Sequence, residues 1–386
     1  MDVSPTLPPG FRAAGLCCGL KDDGAFDLGL ILADQPCTAA AVFTRNHFPG
    51  APVLLGRETI RGGVLQAIVV NSKVSNVGMG EPGLVNASRM AHAVAENYQV
   101  DPGHVLVSST GVILQRLPIS KIEAGIAACA DLLGPDPLPA ARGMMTTDSY
   151  AKAVTVKAGE ATITVLAKGA GMVAPDMATM LVYALTDATF SSSELDALLR
   201  ETVDQTLNML SIDTDTSTSD TCAILASGRV SVDRTEFATA LHNAFVQVTE
   251  MLARDAEGAT KLLRAVVTGA NSAADAKTFA KALIDSPLIK TMAYGADPNV
   301  GRVLMAIGKC VTCEIAADAV QITINGTVVY GEGKRTDFDE EAMRNSLSGD
   351  PVEISVLVNH GPHQATAYGC DLTESYITEN AAYYSS

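Results

Sequence analysis

Strand and helix signals follow one another along this chain without a regular strand–helix–strand beat, and that irregularity limits the folds open to it. LGLILA (28–33), AAAVFT (39–44) and GVLQAIVVN (63–71) are apolar, β-prone runs. Ala87, Met90, Ala91, Val94 and Tyr98 recur at helical spacing, predicting a helix over 86–98 with Asn86 as its N-cap. HVLVSS (104–109) predicts a strand, and Pro118 to Leu133 a helical stretch. Residues 152–168 predict a hairpin turning at Ala158-Gly159-Glu160, and QITINGTVVY (321–330) another turning at Asn325-Gly326. Ser191-x-x-Glu194 and Asp233-x-x-Glu236 have the form of capping boxes, the second opening a stripe of Phe237, Leu241, Ala244, Phe245, Val248 and Leu252. Asp297-Pro298 predicts a further helix start, with Gly308 as its end, and VEISVLV (352–358) a further strand. The mixture predicts α+β layers with antiparallel pairing, not a doubly wound parallel sheet. A chain of 386 residues exceeds one comfortable core, so two lobes are expected, the smaller around 265–350.

Charge and composition exclude several functions. Lys and Arg number 27 against 43 Asp and Glu, a formal charge of -16, with no basic run to displace phosphate counterions. Trp is absent and aromatics make up 5%, which argues against a base-stacking surface. No segment holds the roughly 18 uninterrupted apolar residues of a membrane helix. The start, with an early acid and Pro5, Pro8 and Pro9, lacks the basic and apolar regions of a secretory signal, so a cytoplasmic location is expected. Eight cysteines are too few for a disulfide scaffold. Cys310-Val-Thr-Cys313 is a single CxxC without the second pair of a zinc site; on a strand its sulfurs would point to opposite faces, and the reading is of small buried hydrophobes.

The six histidines, including His360-Gly-Pro-His363, belong to neither HExxH nor any nucleophile elbow, and no metal is expected. No phosphate-binding glycine motif follows a strand; in the 168–171 segment the lysine precedes the glycines. DTDTSTSD (213–220) lacks the glycine and distal Glu of a calcium loop and reads as a polar loop tied to its own backbone.

KGAGMVAPDMATML (168–181) carries a different possibility. A threonine inside a chain is a weak nucleophile. Cleavage between Ala178 and Thr179 would give Thr179 a free α-amine with a pKa of roughly 7.7–8.0 beside its hydroxyl, so that one residue supplies nucleophile and base. Ala178 leaves the scissile carbonyl open, Pro175 and the glycines allow a bent loop, and TMLVYALTDA (179–188) predicts a strand that would hold Thr179 at a rigid start. An Ala-Thr pair before a strand is also a common loop ending, and the residues alone leave both readings open.

The same stretch resembles the central motif of the ornithine acetyltransferase (glutamate N-acetyltransferase, ArgJ) family. SSTGVI (108–113), MMTTD (144–148), SIDTDTSTSDT (211–221), DAEGATK (255–261), DPNVGR (297–302) and GCDLTESYITEN (369–380) resemble further family motifs in the family's order. The resemblance implies a two-lobed α/β fold, an αββα-type sandwich self-cleaved into an α chain (1–178) and a β chain (179–386). It implies an acetyl-Thr179 enzyme that carries acetyl from N2-acetylornithine to glutamate by a ping-pong exchange. Thr110 and Gly111 fall at the family's oxyanion hole, and Thr146, Lys168, Thr179, Glu257, Asn380 and Ser385 at its substrate-binding positions. A dimer of αβ pairs acting on small molecules is implied, without cofactor; whether acetyl-CoA serves as a second donor is left open. Leu114 stands where the family often has glycine, Val300 where it usually has tryptophan, and 71–80 lacks the expected asparagine-rich pattern. These departures bear on the pocket, so a related acyltransferase or amidase with another substrate, or a non-catalytic amino-acid-binding relative, is the alternative.

Overall fold

The computed structural model describes residues 4–174 and 180–381. Along the chain come β1 (Phe11–Leu16), β2 (Leu28–Phe43), α1 (Ala51–Thr59), β3 (Val64–Asn71), α2 (Gly80–Tyr98), β4 (Val105–Ser109), α3 (Ile119–Ala128), α4 (Leu138–Met144), β5 (Lys152–Ala158), β6 (Ala161–Lys168) and β7 (Leu181–Ala188). After these come α5 (Ser192–Gln205), β8 (Leu210–Ser211), β9 (Thr221–Val230), α6 (Arg234–Arg254), β10 (Leu262–Ala270), α7 (Ala273–Ile284), α8 (Pro287–Tyr294) and α9 (Gly301–Gly308). β11 (Gln321–Ile324), β12 (Thr327–Gly331), β13 (Lys334–Arg335), α10 (Glu340–Leu347), β14 (Val352–Leu357), β15 (His363–Cys370) and α11 (Glu374–Ala381) complete the chain.

The chain divides into two compact units. Of the described residues, the first comprises 4–169, 180–208 and 216–248, the second 170–174, 209–215 and 249–381. Each contains one sheet. In the first the order is β4-β3-β2-β9-β7-β6-β5, with β1 also paired to β2. Most neighbours are antiparallel, but β3 with β4 and β7 with β9 run parallel, so the fold is mixed α/β. In β2, Leu30 and Leu32 join a core with Met90 and Val94 of α2, while Ile31 and Ala33 join a second core with Leu166, Tyr183 and Leu225. This is the two-residue strand period, and because both faces are buried the run reads as continuously apolar. Each enclosed Leu or Ile contributes about 1.5–3 kcal/mol.

The second unit orders its sheet β13-β12-β11-β14-β10-β15-β8. Between β11 and β12 both Asn325 (φ 45°) and Gly326 (φ 83°) are left-handed, as a tight two-residue hairpin requires.

Several boundaries depart from the sequence reading. The runs at 28–33 and 39–44 belong to one sixteen-residue strand. α2 begins at Gly80, with Asn86 inside it; of residues 80–86 only Gly83 is buried, and Glu81 and Pro82 fall in the first turn, where an acid and a proline suit a helix start. Ser191 and Glu194 form the predicted reciprocal capping box. Asp233 caps α6 through the Thr235 and Glu236 N–H groups, but Glu236 reaches instead to the Gly159 N–H at 2.8 Å. α9 starts at Gly301, three residues beyond Pro298. Cys310 and Cys313 lie on a turn, half-buried, and not on a strand or in a core.

Candidate active site

In the first unit the site is assembled from strand ends. β3 and β4 are parallel, with Asn71 beside Ser109. The Thr110 N–H donates to the Asn71 carbonyl at 3.0 Å. Ser109 Oγ donates to Asn71 Oδ1 at 2.6 Å, and Asn71 Nδ2 donates to the Val74 carbonyl at 2.9 Å. Asn71 therefore ties the 71–76 loop to the Thr110-Gly111 turn. Gly111 has φ +124°, and a Cβ there would fall 2.3 Å from the Lys73 carbonyl carbon and oxygen. Backbone atoms occupy that space, so the turn requires glycine.

β6 ends at Lys168, which pairs across the sheet with Leu181, two residues after Thr179 in sequence. The Lys168 side chain is buried; Nζ donates to Thr146 Oγ1 at 2.8 Å and to Thr110 Oγ1 at 3.4 Å. Three of the residues singled out by sequence, from three separate motifs, thus meet at one ammonium.

The sequence reading did not single out Asp148, which organises this cluster. Its carboxylate accepts from the Thr146 N–H at 3.0 Å, the Gly169 N–H at 2.8 Å and Lys152 Nζ at 2.7 Å. Burial pushes its pKa upward, but Lys168, Lys152 and the Gly169 N–H outweigh that effect and hold it at about 2. The signal was available in MMTTD, where an acid follows two threonines, but the buried Lys152 partner lies outside that motif. Asp220 is also fully buried, and burial raises its pKa well above the carboxylate range despite Ser217, Lys168 and Thr44.

In the second unit, Glu257 and the segment after Lys168 form a second group. The Glu257 N–H donates to the Ala170 carbonyl at 2.9 Å. A Cβ on Gly171 would lie 2.2 Å from Glu257 Oε2, so glycine is what lets the carboxylate lie against this segment. Asn380 of α11 donates from Nδ2 to Glu257 Oε2 at 2.8 Å. The Met172 and Val173 N–H groups donate to Asp213 at 2.6 and 2.9 Å. Burial raises the Asp213 pKa, against the three N–H groups that lower it. The loop expected to tie its acids to its own backbone does so through the Asp215 N–H, at 3.1 Å, but it also pins the glycine-rich motif. Among the described residues no group of His, Cys, Asp and Glu is arranged to hold a metal ion. Ala178, Thr179 and Ser385 lie outside the described residues.

Comparison with known proteins gives a consistent picture. The profile of the ArgJ family matches residues 12–385. The arginine biosynthesis bifunctional protein ArgJ of Rhodococcoides fascians is 40% identical over 99% of this chain and 96% of its own length. Glutamate N-acetyltransferase Oat2 of Streptomyces clavuligerus is 41% identical over 99% of both chains. The crystal structure of the ArgJ protein from Bacillus halodurans aligns with a TM-score of 0.50 and 36% identity, over 52% of this chain and 98% of that one.

Proposed function

We propose a function from one premise: the chain belongs to the ArgJ family. It is a glutamate N-acetyltransferase of arginine biosynthesis, moving acetyl from N2-acetylornithine to glutamate. The family match across the whole chain is the observation that carries this reading. The convergence of Thr110, Thr146 and Lys168 at a buried point supports it.

In this mechanism, cleavage between Ala178 and Thr179 releases the α-amine of Thr179. The amine takes the proton from the Thr179 hydroxyl as its oxygen attacks the acetyl carbonyl. The Thr110 hydroxyl and the Gly111 N–H donate to the resulting oxyanion, a role supported by a glycine-only turn that holds these donors in place before substrate arrives. Collapse transfers the proton to the departing nitrogen, frees ornithine and leaves acetyl on Thr179. The amine of glutamate then attacks the ester and restores the hydroxyl. Lys168 pairs with the substrate carboxylate, with the Thr146 hydroxyl beside it, and Glu257 with the ammonium group, held by Asn380. Ser385 completes the substrate contacts. The processed enzyme works in the cytoplasm as a dimer of αβ pairs. It needs no cofactor, since acetyl passes through the protein itself; acetyl-CoA is a candidate second donor.

The test is to incubate the purified protein with N2-acetylornithine and isotope-labelled glutamate. Equal amounts of ornithine and labelled N-acetylglutamate are expected. Acetate as the main product would overturn the transferase assignment, and preferential transfer to other amines would replace glutamate as the acceptor.

A further inference from the structure

The CxxC stretch is a sequence motif that the acetyl-transfer reading leaves unused. It follows α9 in the second unit, and the Cys313 N–H donates to the Cys310 carbonyl at 3.0 Å. That bond closes a four-residue turn, a geometry that brings the two Cα atoms within about 7 Å. Disulfides span Cα separations of about 4.4–6.8 Å. A strand would have separated the sulfurs onto opposite faces; the turn brings the two residues together.

Access sets this pair apart as well. Both cysteines are half-buried, and between them Val311 is 89% exposed. Cys37, Cys129, Cys222 and Cys370 are buried. Cys17 and Cys18 are accessible, but as sequence neighbours they cannot adopt ordinary disulfide geometry with each other. Cys310 Sγ lies 3.7 Å from the Ala306 carbonyl, and Cys313 neighbours Asp275 and Thr278 of α7. Neither sulfur sits in a sealed core. The far side of the turn is anchored: Asn359 Nδ2 donates to the Glu314 carbonyl at 2.8 Å, and the Ala316 N–H donates to Asn359 Oδ1 at 2.6 Å.

We propose that Cys310 and Cys313 form a dithiol site that closes to a disulfide by exchange with a low-molecular-weight disulfide. One cysteine thiolate attacks a sulfur of the reagent, breaking its S–S bond and releasing one thiol. The second cysteine attacks the resulting mixed disulfide and releases the other thiol. The protein loses two hydrogens and two electrons, and the small disulfide is reduced to two thiols. Burial raises both cysteine pKa values, with the Asp275 carboxylate adding to the effect at Cys313, so the attacking thiolate is the minor form and exchange should quicken as pH rises.

The experiment treats the full protein with glutathione disulfide, quenches with acid and measures intact mass and non-reduced peptides. The expected product lacks two hydrogens and carries a Cys310–Cys313 cross-link, reversed by a thiol reductant. Cys310→Ser and Cys313→Ser should each stop at one stable glutathione adduct on the remaining cysteine of the pair. Wild-type protein carrying glutathione on both cysteines without a cross-link would overturn the proposal. So would adducts at Cys17 with Cys310 and Cys313 unreacted.

Discussion

The Asp148 carboxylate lies 2.7 Å from the Lys152 ammonium, with both side chains completely enclosed. The same oxygen accepts the Gly169 N–H, so this ion pair holds the backbone that follows Lys168. Its folded pKa of about 2 lies below the unfolded carboxylate value of about 3.9. The stabilisation is therefore present above about pH 4 and is lost as pH falls through about 2. Asp148→Asn should cost about 3–5 kcal/mol at neutral pH, because it removes the carboxylate from a buried ammonium. Urea unfolding of both proteins across pH checks this. The gap should narrow below about pH 4, and a gap independent of pH would show that ionisation is not its cause.

Thr110→Ala removes the hydroxyl proposed above as an oxyanion donor while leaving the backbone turn intact. It should lower kcat by about 100- to 1,000-fold with little change in unfolding midpoint. Gly111→Ala differs, since its Cβ meets the Lys73 backbone; it should lower stability and activity together. Steady-state kinetics paired with thermal unfolding separates the two effects.

Gly171→Ala places its Cβ against the end of a flexible side chain, not against backbone. Displacing Glu257 should then raise the KM for acetylornithine about tenfold or more, equivalent to about 1.4 kcal/mol, with a smaller loss of stability. An unchanged KM would remove Glu257 from the binding assignment.

Thr179→Ala should remove both self-cleavage and acetyl exchange. Denaturing electrophoresis is expected to show two fragments for the wild-type protein and one full-length chain for the variant. Exchange activity persisting in the variant would exclude Thr179 as nucleophile.

Leu114 adopts φ +62° while 69% of it is exposed. A leucine pays for that conformation with little burial to compensate, so Leu114→Gly should raise stability by up to about 1 kcal/mol. Denaturant unfolding measures the change.

Much of the architecture could be read from short-range pattern. The β5–β6 and β11–β12 hairpins, the Ser191 cap and the α6 stripe arise from periodicities and turn chemistry that act within a few residues. The Asn86 cap failed because α2 starts a turn and a half earlier, with Glu81 and Pro82 in its first turn, and the apolar spacing from Ala87 onward does not report that largely exposed start.

The site divides in the same way. The sequence by itself determined the family, the Ala178-Thr179 junction as a cleavage candidate, and Thr110, Gly111, Thr146, Lys168, Glu257 and Asn380 as residues of interest, because each lies within a contiguous motif. Tertiary structure alone decided that Lys168 reaches Thr110 and Thr146, that Asp148 shares its charge between Lys152 and the Gly169 N–H, and that Asp213 pins the 172–173 backbone. It also placed the two CxxC cysteines together on one turn. These relationships depend on burial and on hydrogen bonds between residues as far as 58 positions apart, as in the Lys168–Thr110 contact, and linear spacing carries no measure of either.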